Sequence, residues 1–245
     1  MIKFFRKIRQ QLLSENKFSK YLIYAIGEII LVVIGILIAL SVNNWNESRK
    51  QNNLKKTLTK SIKEDLNRDV ISLASHTKKV DSIFQILNNQ SKYVNRISYS
   101  TDSIIHFLKK EINPYTVSFP GFNNTTYESM KTSGQLDILD ESLKKKLYQL
   151  YILQNLSLES YIEGREDYYD EIENLIASYP IPVPFSFIKD TPQNEFIWKN
   201  LDKKDMMLKI NSWGTLKANF FRSTNRDFKE ILDKTKDVLE LINNN

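Results

Sequence analysis

The sequence predicts an all-α protein with one membrane-crossing helix, and three observations carry that expectation. Apolar residues recur every three or four positions over long tracts, and one run from Tyr21 to Val42 is apolar almost throughout. No tract alternates apolar and polar residues as a half-buried strand does. The expected architecture is an N-terminal amphipathic helix, one transmembrane helix, then an antiparallel bundle of three long and several short helices. The 245 residues divide accordingly into a cytoplasmic basic amphipathic segment (1–20), the membrane helix (21–45) and an extracytoplasmic bundle (46–245).

The chain carries 35 basic and 29 acidic residues, a formal +6. Residues 1–45 hold six of the cations and only Glu15 and Glu28, which makes them +4 and leaves the other two hundred residues at +2. The excess is a property of the N-terminus. A nucleic-acid footprint on the main domain is therefore not expected. Within residues 2–13, Ile2, Phe5, Ile8 and Leu12 fall on one helical face, while Lys3, Arg6, Lys7 and Arg9 lie largely on others. That pattern suits a helix lying in an anionic leaflet, or equally a plain basic flank that orients the span.

From Ile29 to Leu40 no side chain is polar. The 22 residues of Tyr21–Val42 would span about 33 Å as a helix, against a hydrocarbon core of about 30 Å. Tyr21 and Tyr24 at one end and Trp45 at the other suit the interfacial aromatic belts. Cations before the span place the N-terminus in the cytoplasm and the bulk of the chain across the membrane. A cleaved signal peptide is the rival reading, since Ala39-Leu40-Ser41 resembles a cleavage site; the length of the run and Glu28 within it argue for a retained anchor. Gly27, Leu31, Gly35 and Ala39 recur every four residues and share a broad face with Glu28. Small residues there allow close helix packing, with Glu28 held at a helix–helix contact; alternatively Glu28 lies near the interface and snorkels or is protonated.

After Trp45 an apolar stripe continues through Leu54, Leu58, Ile62, Leu66, Val70 and Leu73, then Val80, Ile83, Phe84 and Leu87. No proline or glycine falls between Gly35 and Pro114, so the span can run directly into this stripe. A turn near Ser98-Tyr99-Ser100 precedes a short helix over 101–113, which Pro114 stops. Pro120-Gly121 marks a loop, and Thr125-x-x-Glu128 reads as a capping box opening a helix that Gly134 closes. Asp140 is a suitable N-cap for a long helix that ends at Pro180-Ile181-Pro182-Val183-Pro184. Thr191-Pro192 starts another short helix, and a last long one runs from Lys203 to about Asn243. The proline-rich stretch reads as a crossover within one domain.

The run IGEIILVVIGILIALSVNNWNE (Ile26–Glu47), with the basic stretch before it, resembles the N-terminus of uncharacterised single-span membrane proteins of flavobacteria and related Bacteroidota. Tyr127-ESMKTSGQLDI-Leu139 is similar, more weakly, to that family's short helix ending in Ser-Gly. The resemblance implies a bacterial inner-membrane protein with a cytoplasmic N-terminus and a periplasmic helical domain. It implies no activity and no site residues.

Motifs for catalysis are missing from the sequence. There is no cysteine, and the two histidines, His76 and His106, show no metal-ligand spacing and read as structural or solvated. Glycine-rich phosphate loops and a nucleophile elbow are likewise absent. Gly121, Gly134, Gly164 and Gly214 are isolated and assigned to turns or helix irregularities. The densest carboxylate cluster is Glu159, Glu163, Glu166, Asp167, Asp170, Glu171 and Glu173, which reads as a charged face rather than a metal site because no Glu-x-x-His accompanies it. The function expected is therefore non-catalytic: a membrane-anchored bundle that binds a partner or ligand, without a cofactor, as part of a membrane complex or homo-oligomer in the bilayer. The alternative is a metal-dependent or hydrolytic enzyme using the 159–173 carboxylates.

Overall fold

The computed structural model describes residues 18–96, 100–181, 183, 186–188 and 191–244. Every regular element among them is helical: α1 Phe18–Val94, α2 Thr101–Lys110, α3 Thr125–Thr132, a 3-10 turn Gln135–Ile138, α4 Glu141–Ser178, α5 Pro192–Lys199 and α6 Lys203–Asn244. Three long helices and several short ones are thus the observed fold, as the periodicity implies. The chain divides into two compact units, residues 1–57 and 58–245.

In the first unit the described residues belong to the N-terminal part of α1. Its most apolar stretch is 0% buried, and by length and composition this helix can cross a membrane. Its side chains project all round it, from Leu22 at 49% exposed to Leu31 at 64%.

The second unit is built on α4 and α6, which pack against each other, with the rest of α1 completing the core. Leu73, Val80, Met130, Phe221, Phe228 and Ile231 are buried in one apolar cluster. Phe107, Leu108, Tyr168, Leu175, Met206 and Trp213 belong to a second. Gly164 is not a turn residue but an interior position of α4. A Cβ there would stand 3.2 Å from the Phe220 ring of α6, so glycine admits that ring to the helix surface.

Helix boundaries follow local chemistry with two corrections, the first being that α2 ends at Lys110, short of the Asn113 end expected before Pro114, with the carbonyls of Glu111 and Asn113 taken by Gln90 and Lys217. Thr191 caps α5 through Asn194 N–H, and Pro192 occupies the first turn. Ser100 caps α2 in the same way through Ser103 N–H; of the turn expected at 98–100, residues 98 and 99 lie outside the described residues. Gly134 adopts φ 71°, the left-handed conformation that ends the α3 segment. The capping box at Thr125 does not form. Asn124 takes the N-cap position without a side-chain cap, and the Asp65 carboxylate of α1 accepts from Thr126 N–H at 3.1 Å instead. Glu128, freed from capping, accepts from the Tyr151 hydroxyl. A tertiary acceptor has replaced the local one.

Candidate functional site

The membrane-facing expectations centre on α1. Gly27, Leu31, Gly35 and Ala39 lie four residues apart on it, so they drift slowly round one face that also holds Glu28 and Tyr24. A Cβ at Gly27 or Gly35 would meet nothing within 4 Å, so both stand open. Trp45 is 64% exposed, with the Arg49 guanidinium 5.9 Å from its ring. Lys3, Arg6, Lys7 and Arg9 lie outside the described residues, as does the side chain of Tyr21.

The bundle holds polar groups that a count of apolar periodicity passes over. Asp65, Asp69, His76, Thr77 and Gln90 occupy buried positions on the inner face of α1. Asp69 Oδ1 accepts from Asn123 N–H at 2.8 Å and from Asn123 Nδ2 at 2.7 Å, and Oδ2 accepts from Gln154 Nε2 at 3.0 Å. Burial, opposed by these hydrogen bonds, raises the Asp69 pKa above the usual carboxylate value. Asp65 pairs with Arg68 as well as capping α3. These carboxylates are structural: their oxygens are spent holding the 114–124 loop and the start of α3.

His76 is 3% exposed and ringed by Phe119, Tyr161 and Phe228, with centroids 5.0–6.2 Å away. Burial, only partly offset by the Ser118 backbone and reinforced by the Lys79 charge, lowers its pKa to about 4. It is a neutral core ring at pH 7. His106 lies on α2, away from that ring cage in sequence and element.

A second polar centre pins the other end of the same loop. Lys217 of α6 is 3% exposed and donates to the carbonyls of Asn113 and, at 3.1 Å, Tyr115. Its ammonium lies 5.4 Å from the Trp213 ring and 5.8 Å from Tyr168. Burial depresses its pKa to about 8. Tyr168 donates to Pro114 O at 3.0 Å and Tyr161 to Val117 O at 2.9 Å. A loop without regular structure has carbonyls that a bundle must satisfy with side chains, and the tyrosines and Lys217 do so.

Beside this centre opens a cleft of about 670 Å³ between α1 and α6, floored partly by α2. Its polar lining is almost entirely amide and hydroxyl, from Asn88, Gln90, Ser91, Asn95, Asn211, Thr215 and Asn219, with Arg222 the one charge. Phe84, Val94 and Met207 are the larger apolar residues partly exposed in its wall, and Leu87, Phe107, Ile210 and Trp213 line it from buried positions. A second cavity of about 550 Å³ lies between α4 and α6 near Ile152, Leu156 and Val238. Sequence reasoning missed the first cleft. Its one visible signal is that the apolar stripe of α1 ends at Leu87 while the helix continues to Val94.

The acidic tract of α4 faces outward. Glu159, Glu163, Glu166, Asp167, Asp170 and Glu173 are exposed and Glu171 is half-buried. Among the described residues no three acidic, histidine or cysteine side chains converge as a metal centre would require.

Residues 28–178 match the model of a family of unknown function (DUF6090), and the chain belongs to that family. Neither a curated protein nor a solved structure matches it. The matched region includes the α1 wall of the larger cleft and ends with α4, so the α6 wall lies beyond it.

Proposed function

We propose that this protein is a membrane-anchored, non-catalytic binding protein of the bacterial inner membrane. Residues 21–45 form the anchor, the short basic N-terminus stays in the cytoplasm, and the bundle works on the periplasmic side as part of a membrane complex. One observation carries the reading. The apolar N-terminal part of α1 is exposed on every side, 0% buried in its most apolar stretch, and water does not tolerate such a surface. A soluble protein would cover it; a bilayer covers it without further contacts. The open cleft in the bundle supports a binding role, since pockets of this size, with apolar surface and a few converging polar groups, are where ligands sit. The Gly27–Ala39 face, with Glu28, is the surface on which the anchor would meet a second helix.

Reporter fusions at Asn53 and at the C-terminus test the topology. Both are expected to report a location outside the cytoplasm, and a cytoplasmic signal from either ends the model. Cross-linking of the full chain in native membranes, followed by co-purification, tests the binding role. Partners, including a second copy, are expected in the cross-linked species; a chain recovered only as monomer at every cross-linker length overturns it.

A further inference from the structure

The larger cleft is an opened helix–helix seam, and its chemistry names an occupant. Asn225 Nδ2 of α6 donates to Asp81 Oδ1 of α1 at 2.8 Å, and Lys229 pairs with the same carboxylate at 2.9 Å. These contacts fix an antiparallel register. Stepping both helices by three and four residues from the Asp81–Asn225 pair sets Phe84 opposite Arg222, Asn88 opposite Ala218, Ser91 opposite Thr215 and Asn95 opposite Asn211. Each of these eight residues lines the cleft. On the other side of Asp81, Val80 and Phe228 are buried in the same apolar cluster. Beyond Phe84 the seam positions become small or polar, and the space between the helices is unfilled.

We propose that this opened seam binds the C-terminal segment of an apolar polypeptide, its carboxylate directed to Arg222. The inference deepens the binding role proposed above and rests on it. Carboxamides and hydroxyls on facing walls both donate and accept, so they match peptide N–H and C=O groups without regard to sequence. Phe84, Val94 and Met207, each partly exposed, offer apolar surface between those walls, and methionine adapts to side chains of different shape. Gln90 carries an acceptor that awaits a donor: its Nε2 donates to Glu111 O, while its buried Oε1 has no partner. Arg222 is exposed, has no ion pair among the described residues, and presents the planar fork that binds carboxylates in bidentate fashion. A glycan suits the site less well. Sugars stack on open ring faces; Phe107 and Trp213 are only 1% and 2% exposed, which leaves the partly buried Phe84 as the one ring they could reach among the described lining residues.

The test uses the full chain in lipid nanodiscs and a pool of hexapeptides built from Ala, Leu, Ile, Val, Phe and Ser, half with free carboxyl ends and half amidated. Bound peptides are identified by mass spectrometry against empty nanodiscs. Free-carboxyl peptides are expected to be enriched over their amides by about tenfold, as one charge-assisted bidentate contact allows. Arg222→Ala should erase that preference, and Thr215→Trp, an exposed wall position, should abolish capture while the thermal unfolding midpoint is retained. Ala218→Trp supplies a second block of the same wall. Enrichment no greater than on empty nanodiscs overturns the proposal. So does capture unchanged in both tryptophan variants, or saturable binding of chito-oligosaccharides in place of peptides. Partners that still cross-link to the Thr215→Trp chain in native membranes would sink the cleft alone and leave the binding role standing.

Discussion

Leu31 and Ile71 belong to the same helix, α1, and are exposed to nearly the same degree, 64% and 71%. Their surroundings differ completely. Around Leu31 every residue from Ile29 to Leu40 lacks a polar side chain. Around Ile71 the outward positions are Asn67, Arg68, Ser75 and Lys78, while Leu66, Leu73 and Val80 turn inward. Both stretches are α-helical. What separates them is the angular spread of apolar side chains: the whole circumference in one, a stripe in the other. An isolated exposed isoleucine is ordinary on a water-facing helix, whereas a full apolar circumference calls for a different solvent.

The largest expected effect breaks that comparison at its apolar end. Arginines at Leu31 and Ile34 together should cost roughly 5–7 kcal/mol of insertion free energy, and the protein should leave carbonate-washed membranes. Ile71→Arg, at an equally exposed position, should change stability by no more than about 0.5 kcal/mol. Loss of membrane retention in both variants, or in neither, would show that the two stretches share one environment.

Within the bundle, Phe228→Ala removes a fully buried ring that touches His76, Phe119 and Tyr161. A loss of about 3–5 kcal/mol is expected from urea unfolding, with membrane retention unchanged. His76 has a folded pKa near 4, below its ordinary 6.5, so the folded state prefers the neutral ring and unfolding takes up a proton. Its stabilising contribution is complete above pH 6.5 and disappears as pH falls toward 4, on the order of 2–3 kcal/mol. His76→Phe should flatten that part of the stability curve; a slope equal to that of the unsubstituted chain would show that His76 does not carry it.

Asp69→Ala should cost about 1–3 kcal/mol because it strands Asn123 N–H and the Gln154 amide without an acceptor. Asp69→Asn keeps one acceptor oxygen and should cost less, a ranking that thermal unfolding can check. Gly35→Leu comes last. Because a side chain there meets nothing within the chain, its effect should appear only as weaker self-association, by about 1 kcal/mol or less. Energy-transfer measurements between labelled copies in vesicles would read it, and unchanged association would reduce that face to a plain anchor.

Much of the fold was legible because its signals are local. Thr191-Pro192 and Pro180 punctuate helices by backbone sterics and missing N–H groups, and the structure breaks its helices where they stand. The stripe of α1 was readable as far as its residues were apolar. Asp65, Asp69 and His76 fall in phase with that stripe, but burial of a carboxylate is unexpected unless its partners are known. Those partners, Asn123 and Gln154, lie 54 and 85 residues away. The failed capping box has the same origin: Asp65 reaches Thr126 from 61 residues upstream and outcompetes the local donor–acceptor exchange. The cleft was invisible for a related reason, since a polar residue at a seam position looks solvent-facing until the opposite helix supplies the register.

By itself, then, the sequence determined the helices, most of their ends, the apolar run of α1 and the location of the charge excess, all set by interactions within a few residues or by composition along one helix. The tertiary structure alone decided which polar residues are buried, how the 114–124 loop is held by Tyr161, Tyr168 and Lys217, and that the α1–α6 seam closes below Asp81 and opens above it. Those outcomes depend on groups far apart in the chain, whose hydrogen bonds and packing exist only once the helices stand side by side.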